Sequence, residues 1–191
     1  MPFGLSNAPS TFQAAMNDIF HPALRQFVLV FFDDILIYSK TLSEHYSHLQ
    51  QVFDTLAHHR YFAKFSKCVF GVSEISYLGH VISKMGVSTD LEKITAIQNW
   101  PTPLSITALR GFLGLTGYYR RFVRNYAQLA APLTDMLQHT RTFTWSPTAQ
   151  TAFEVLKAAM TSLPTLILPD FTAVFDVTTD ALDIGVGGVL S

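Results

Sequence analysis

The sequence predicts an α+β fold, and three observations carry that prediction. Residues 27–39, FVLVFFDDILIYS, place two apolar runs on either side of Asp33 and Asp34. Each run has strand length and is rich in β-branched and aromatic residues. The segments before and after it repeat apolar residues at helical spacing. Hydrophobic residues make up 49% of the 191-residue chain and charged residues 14%. That is enough to bury the core of one large domain or two small ones, and it excludes a disordered tail.

The first helix is capped by Ser6 or Asn7, with Pro9 in its first turn. Phe12, Ala15, Met16, Ile19 and Phe20 form its core face. The bend Pro2-Phe3-Gly4 precedes it, and Gly4 lets a ligand approach the backbone. His21-Pro22 closes the helix. A tight β-hairpin with the acid pair at its turn comes next. Thr41 and Glu44 have capping-box spacing, opening a helix whose stripe Leu42, Tyr46, Leu49, Phe53 and Leu56 lies on the sheet. A lone hairpin is marginal, so further strands are expected over residues 61–65, 67–70 and 75–83, followed by a turn at Lys84-Met85-Gly86.

The character changes near Ser88. Thr89 and Glu92 form a second capping box, and Pro101 and Pro103 stop the helix after Trp100. Residues 105–123 read as helix. Gly111, Gly114 and Gly117 recur there every third residue, a small face that permits another backbone to come close. Pro132 opens a short helix carrying Leu133, Met136 and Leu137. Residues 143–145 are extended, and Ser146-Pro147 starts a helix with Phe153, Leu156, Met160 and Leu163 on one face. Pro164 and Pro169 bracket a linker. Val174-Phe175-Asp176-Val177 is a strand leading to Asp180 and Asp183, and residues 185–190 form the next strand.

Several functional classes are set aside by composition. Cys68 is the single cysteine, so no internal disulfide forms and no Cys/His cluster has zinc spacing. His45 and His48, beside Glu44, read as a solvated helix face. The N-terminus lacks the cationic and apolar regions of a signal peptide. The longest strongly apolar run, residues 27–32, is too short to span a bilayer, so a soluble protein without a membrane partner is expected. The net charge of −1 conceals an asymmetry: residues 60–124 hold nine Lys or Arg against three acids, a net +6. A basic middle beside an acidic tip suits a polyanion, and scattered cations on a solvated surface are the equal alternative.

Two readings stand for Asp33 and Asp34. Paired carboxylates at a hairpin tip hold divalent metal through hard oxygens, as phosphoryl transfer requires. Asp is also ordinary turn chemistry. The run Tyr118-Tyr119-Arg120-Arg121-Phe122 suits a nucleic-acid backbone and its bases. It suits a core edge equally, which is the better account of Tyr119 and Phe122.

Taken in order, MPFGLSNAPSTFQ, FFDDILIYS, YLGHVIS, LRGFLGLTGYYRRF and TDALDIGVGGVL resemble the Pol polyprotein of gypsy-class LTR retrotransposons. The resemblance implies a partial reverse-transcriptase palm over residues 1–88, a helical thumb over 89–140, a connection over 141–172 and the first strands of a ribonuclease H-like domain over 173–191. It implies that Asp33 and Asp34 are catalytic, metal-binding carboxylates, with Asp33 the firmer ligand. Phe3, Gly4, Phe31 and Phe32 would bind the incoming nucleotide, and Tyr77, Leu78, Gly79 and His80 would form the primer grip. Arg110, Tyr118, Arg120, Arg121 and Arg124 would contact nucleic acid, and Asp180 would be the first ribonuclease H carboxylate. The implied cofactor is Mg²⁺, with Mn²⁺ as substitute. The implied partners are an RNA/DNA primer–template duplex and a dNTP, with self-association through apolar surface left open. The family works in cytoplasmic particles before nuclear integration.

A palm of this family uses three carboxylates, and the first lies upstream of the MPFG segment. The later ribonuclease H acids lie beyond Ser191. The expectation is therefore an RNA-directed DNA polymerase fragment with little activity alone. The alternatives are a non-catalytic nucleic-acid-binding remnant and an unexpressed relic.

Overall fold

The computed structural model describes residues 7–138, 143–167, 174–182 and 185–190. The chain divides into two compact units, Met1–Lys84 and Met85–Ser191. Helices and small antiparallel sheets alternate along both, an α+β architecture.

The first unit begins with α1, Ala8–Ile19. Pro9 sits in its first turn, where a missing N–H costs nothing. Asn7 occupies the cap position but its side chain makes no capping bond, because its backbone is already helical at φ −98°, ψ −2°. Its carbonyl instead accepts from the Ser10 and Thr11 hydroxyls, each at 2.9 Å. Ser6, Phe3 and Gly4 lie outside the described residues. Met16 and Phe20 are buried, with Phe12 and Ile19 packed beside them, as helical spacing predicts.

Strands β1 (Val28–Phe31) and β2 (Asp34–Ile37) pair antiparallel, with Val28 opposite Ile37 and Phe31 opposite Asp34. Alternation sends Val28, Val30, Ile35 and Ile37 to the core, and Leu29, Phe31, Asp34 and Leu36 to the other face. Helix α2, Leu42–His58, opens with the expected capping box: Glu44 N donates to Thr41 Oγ1 at 3.2 Å and Thr41 N donates to Glu44 Oε2 at 3.1 Å.

The buried stripe of α2 is not the one periodicity suggests. Val52 and Leu56 are buried, with His45, His48 and Leu49 half-buried beside them. Leu42, Tyr46 and Phe53 are exposed at 61%, 66% and 40%. The helix carries apolar residues on two adjoining faces, and contact with the hairpin base selects one. There Phe27 stacks on His48 with ring centroids 3.9 Å apart. His45 and His48 are therefore not simply solvated; the Ser39 hydroxyl lies 3.2 and 2.8 Å from their Nδ1 atoms.

Residues 61–65 and 67–70 are not strands. A 3₁₀ turn, Phe65–Lys67, interrupts them, and Phe70 meets the rings of Phe53 and Phe65. Residues 75–83 are not one strand but a hairpin of β3 (Glu74–Tyr77) and β4 (His80–Ser83). The two turn residues, Leu78 and Gly79, both have positive φ, at 50° and 73°. That is the backbone of a mirror-image two-residue turn, whose twist matches paired strands.

The second unit starts with β5, Gly86–Thr89. Gly86 has φ +127°, and a Cβ there would collide with the Leu166 carbonyl, so only glycine fits. Next to it Val87 and Leu166 exchange two backbone hydrogen bonds of 2.8 Å, which pins the expected linker at that point. Helix α3, Leu91–Gln98, is capped by Asp90, whose side chain accepts from Glu92 N at 2.9 Å; the Thr89 capping box does not form. Thr89 belongs to the strand instead.

Helix α4, Ile106–Tyr118, is capped by Ser105 and gives way to a 3₁₀ turn, Arg120–Phe122. Helix α5, Tyr126–Asp135, starts well before the expected Pro132 and contains that proline internally. Asn125 begins it from a left-handed conformation, φ 57°. Helix α6, Pro147–Ala159, starts as predicted, with Ser146 Oγ accepting from Ala149 N at 3.1 Å. Residues 143–146 form no strand. The last hairpin pairs β6 (Val177–Leu182) with β7 (Gly185–Leu190). Its first strand begins three residues later than expected and contains Asp180, opposite Gly187.

The core of this unit gathers Ile97, Leu109, Phe112, Leu133, Phe153, Leu156 and Met160 from α3 to α6. Phe112 is fully buried, 4.6 Å from the Phe153 ring and 6.1 Å from Trp100. Lys157 closes the edge, donating to the Trp100 carbonyl at 3.2 Å while its ammonium sits 4.9 Å from the Phe153 ring centre. Tyr119 and Phe122 lie inside this core, as the core-edge reading expects.

Truncating Phe112→Ala is expected to cost about 3–5 kcal/mol by chemical denaturation, through lost burial and the cavity left behind. A second expectation concerns pH. Burial, reinforced by the Asp90 carboxylate and the Tyr118 hydroxyl, pushes the Tyr119 hydroxyl up to about 12 from 10.0. The unfolded chain therefore loses this proton first. Stability of the unit should hold below about pH 10 and fall as pH rises toward about 12, and Tyr119→Phe should remove that portion of the fall.

Candidate active site and nucleic-acid interface

The tip of the first hairpin is a two-residue connection, Phe32 and Asp33. So short a turn needs positive φ, and Phe32 supplies it at 50°. For a residue with a Cβ this region costs roughly 1–2 kcal/mol. Asp33 thus lies in the turn itself, whereas Asp34 is the first residue of β2, opposite Phe31. Both carboxylates are exposed. Phe31 and Phe32 meet edge to face at 4.6 Å beside them.

The tip is tied to α1 by one side chain. Gln13 Oε1 accepts from the backbone N–H of Phe32 at 2.6 Å. Its Nε2 donates to the Val30 carbonyl at 3.3 Å and to Asn17 Oδ1 at 2.9 Å. Sequence reading passes over Gln13. The only signal is a polar residue between Phe12 and Met16 at a position that is half-buried.

Tyr77, the last residue of β3, is half-buried within reach of the Asp34 charge. Burial raises its hydroxyl above the ordinary tyrosine value, and the Asp34 carboxylate raises it further. The hydroxyl stays protonated, an O–H donor near the acid pair. Leu78 and Gly79 form the turn, and the Leu78 carbonyl lies 3.0 Å from His80 Nδ1. The charge of Asp34 thus acts on Tyr77 within the first unit, and Leu78, Gly79 and His80 continue from it.

In the second unit Arg110 and Tyr118 lie on the exposed side of α4 with Thr107 and Gly114. Gly114 faces open space, whereas a Cβ on Gly111 would sit 3.6 Å from the Trp100 ring. Arg120, Arg121 and Arg124 follow in the 3₁₀ turn and just after it, all exposed. The buried residues of that stretch, Tyr119, Phe122 and Val123, anchor the backbone from which the guanidinium groups project. Asp180 lies in β6.

Two adjacent carboxylates, one in a tight turn and one opening the strand after it, offer hard oxygens of the kind that divalent metal ions take. Comparison with known proteins narrows the class. Residues 1–82 match the family described as reverse transcriptase (RNA-dependent DNA polymerase), and residues 145–191 match the RNase H-like domain found in reverse transcriptase. Over its whole length the chain is 44% identical to the retrovirus-related Pol polyprotein from transposon 297 of Drosophila melanogaster, and covers 18% of that protein. It is 35% identical to the corresponding polyprotein from transposon gypsy of the same organism, covering 20% of it. Among solved structures, foamy viral protease-reverse transcriptase in complex with an RNA/DNA hybrid superimposes with a TM-score of 0.84 at 26% identity, over 95% of this chain and 25% of that one.

The chain belongs to the retrotransposon Pol family, as a stretch of reverse transcriptase and its ribonuclease H-like domain. It spans about a fifth of the length of these curated relatives. The two matched families use divalent metal ions, and the hard oxygens of Asp33 and Asp34 suit such ions. Among the described residues no group of three or more His, Cys, Asp or Glu converges on one point. No helix among them is long and apolar enough to cross a membrane.

The proximity of Tyr77 to the acid pair has a spectroscopic consequence. In ultraviolet titration Tyr77, identified by difference from Tyr77→Phe, should ionise above pH 10. Asp34→Asn should bring that midpoint part of the way down, since burial, the larger cause, remains. An unmoved midpoint would show that the Asp34 charge does not reach the hydroxyl.

Proposed function

We propose that this chain is the nucleotidyl-transfer part of a retrotransposon reverse transcriptase, an RNA-directed DNA polymerase, leading into its ribonuclease H. Residues 1–88 act as palm, 89–140 as thumb, 141–172 as connection and 173–191 as the opening of the ribonuclease H-like domain. The observation that carries the reading is the acidic hairpin tip within the segment matching the reverse transcriptase family.

Each residue then has a chemical task. Asp33 and Asp34 hold Mg²⁺, or Mn²⁺ in its place, at the growing end of the primer. Bound there, the metal would neutralise charge developing on the nucleotide's α-phosphate and lower the pKa of the primer hydroxyl. Phe31 and Phe32, with Phe3 and Gly4, lie against the incoming dNTP. Tyr77 to His80 hold the primer end, the Tyr77 hydroxyl serving as a donor that stays protonated near the acids. Arg110, Tyr118, Arg120, Arg121 and Arg124 take the duplex backbone, which gives sequence-independent, salt-sensitive affinity. Base pairing then reads the template. Asp180 supplies one carboxylate of the ribonuclease H centre.

Two carboxylates are few ligands for a pair of Mg²⁺ ions, which take their remaining positions from water and substrate phosphates. The 191-residue chain is therefore expected to bind primer–template duplex and Mn²⁺ but to extend primer little or not at all. The test combines duplex binding at several salt concentrations, Mn²⁺ titration, and primer extension on an RNA template, each with Asp33→Asn alongside. Mn²⁺ binding should weaken in Asp33→Asn. Arg121→Ala should weaken binding of all duplex sequences alike and lower the salt slope by about 1. Failure of both the salt-dependent binding and the Asp33-dependent Mn²⁺ binding would sink the reading. Extension by the parent chain alone would show that the pair suffices with substrate.

A further inference from the structure

The side chain that bonds the Phe32 backbone is on a different element from the carboxylates. Gln13 belongs to α1, and its amide group spans the base of the turn. The side-chain orientation is fixed by chemistry, because an N–H and a carbonyl must be matched at once. The Phe32 N–H requires an acceptor, so it faces Oε1 at 2.6 Å. The Val30 carbonyl requires a donor, so it faces Nε2 at 3.3 Å. The second Nε2 proton goes to Asn17 Oδ1 at 2.9 Å, which sets the plane of the amide. Gln13 is thus fully engaged and reads the backbone of the turn on both sides of Phe31.

We infer that Gln13 is a positioning residue for the metal site: it clamps the Phe32 backbone at φ 50° and thereby fixes the direction in which the Asp33 carboxylate leaves the turn. The inference rests on the reading of Asp33 and Asp34 as metal ligands. Without the clamp Phe32 relaxes toward an ordinary conformation. The peptide joining it to Asp33 then rotates, and the two carboxylates no longer present oxygens to one ion. A relayed effect of this kind on ligand orientation weakens metal binding without removing a ligand.

The experiment uses the 191-residue chain and two readouts, the Phe32 amide by NMR and Mn²⁺ affinity by electron paramagnetic resonance. In the parent the Phe32 amide should be shifted downfield and protected from solvent exchange. Gln13→Met, of similar shape but without either polar atom, should lose that protection and raise the Mn²⁺ dissociation constant roughly tenfold. Gln13→Glu keeps the acceptor for the Phe32 amide but sets an oxygen against the Val30 carbonyl, so it should keep more of the amide protection than Gln13→Met and less than the parent. Adding Phe32→Gly to Gln13→Met should recover most of the Mn²⁺ affinity, because glycine needs no clamp at positive φ. A purely structural role of Gln13 in α1 would not be rescued by a glycine in the turn.

Loss of amide protection with unchanged Mn²⁺ affinity would overturn the inference while leaving the metal site standing. An unprotected Phe32 amide in the parent would overturn it as well. If the parent shows no Mn²⁺ binding sensitive to Asp33→Asn, the metal reading itself fails and the inference falls with it. The amide readout keeps these results distinct.

Discussion

A two-residue connection between antiparallel strands leaves the backbone few conformations, and the first unit is arranged around meeting that demand at Phe32. The turn cannot be longer without moving Asp34 out of register with Phe31. The strain of a phenylalanine at positive φ persists only because the surroundings over-determine it. The Val28–Ile37 and Val30–Ile35 pairs bury their side chains between α1 and α2, which locks the strands. Gln13 holds the tip from α1. The core of this unit and its acidic tip are therefore one problem in packing. Apolar residues on one face of the hairpin fix the face on which Asp34 must stand.

The second unit meets a different demand. Its backbone turns are short and its helices are brief, so stability comes from the side chains that α3 to α6 place in common. The 3₁₀ turn after α4 is instructive. Tyr119, Phe122 and Val123 are buried, and Arg120, Arg121 and Arg124 alternate with them on the outside. Burying the aromatics holds the spacing of the guanidinium groups, so the exposed charges are displayed by the core beneath them. Buried aromatics and exposed cations share the same short sequence on different residues, which is why neither reading of the run excludes the other.

How much was legible in the sequence depended on whether a local signal had a rival. Ser146-Pro147 has one meaning, and α6 starts there. The Thr41–Glu44 box likewise forms. Helix α5 is entered from Asn125 in a left-handed conformation, which no cap pattern announces, so in the sequence Pro132 is the stronger start signal. In α2 both Val52 and Phe53 are apolar, and only the neighbouring hairpin decides that Val52 is buried. Residues 75–83 are β-prone throughout, so the Leu78-Gly79 turn was hidden inside an apparently continuous strand. The acid pair was visible because two charges interrupt an apolar run. Gln13 was not, because its partner is a backbone amide and a backbone amide leaves no mark in a sequence.

That difference separates two kinds of functional residue. A metal ligand is specified by its own chemistry and needs a carboxylate wherever it falls. A residue that shapes the backbone beneath the ligand is specified by geometry. It needs an acceptor at one distance and a donor at another, a pair of demands that an amide meets and a carboxylate or an alkyl chain does not. In the first unit Gln13 lies nineteen positions in sequence from Phe32, the residue before the acid pair, and within a single hydrogen bond of it in space. The helix that carries Gln13 buries Met16 and Phe20 in the same core that receives Val28. Packing of α1 against the hairpin therefore sets the amide's distance to the turn, and the acidic tip inherits its shape from hydrophobic contacts that touch neither carboxylate.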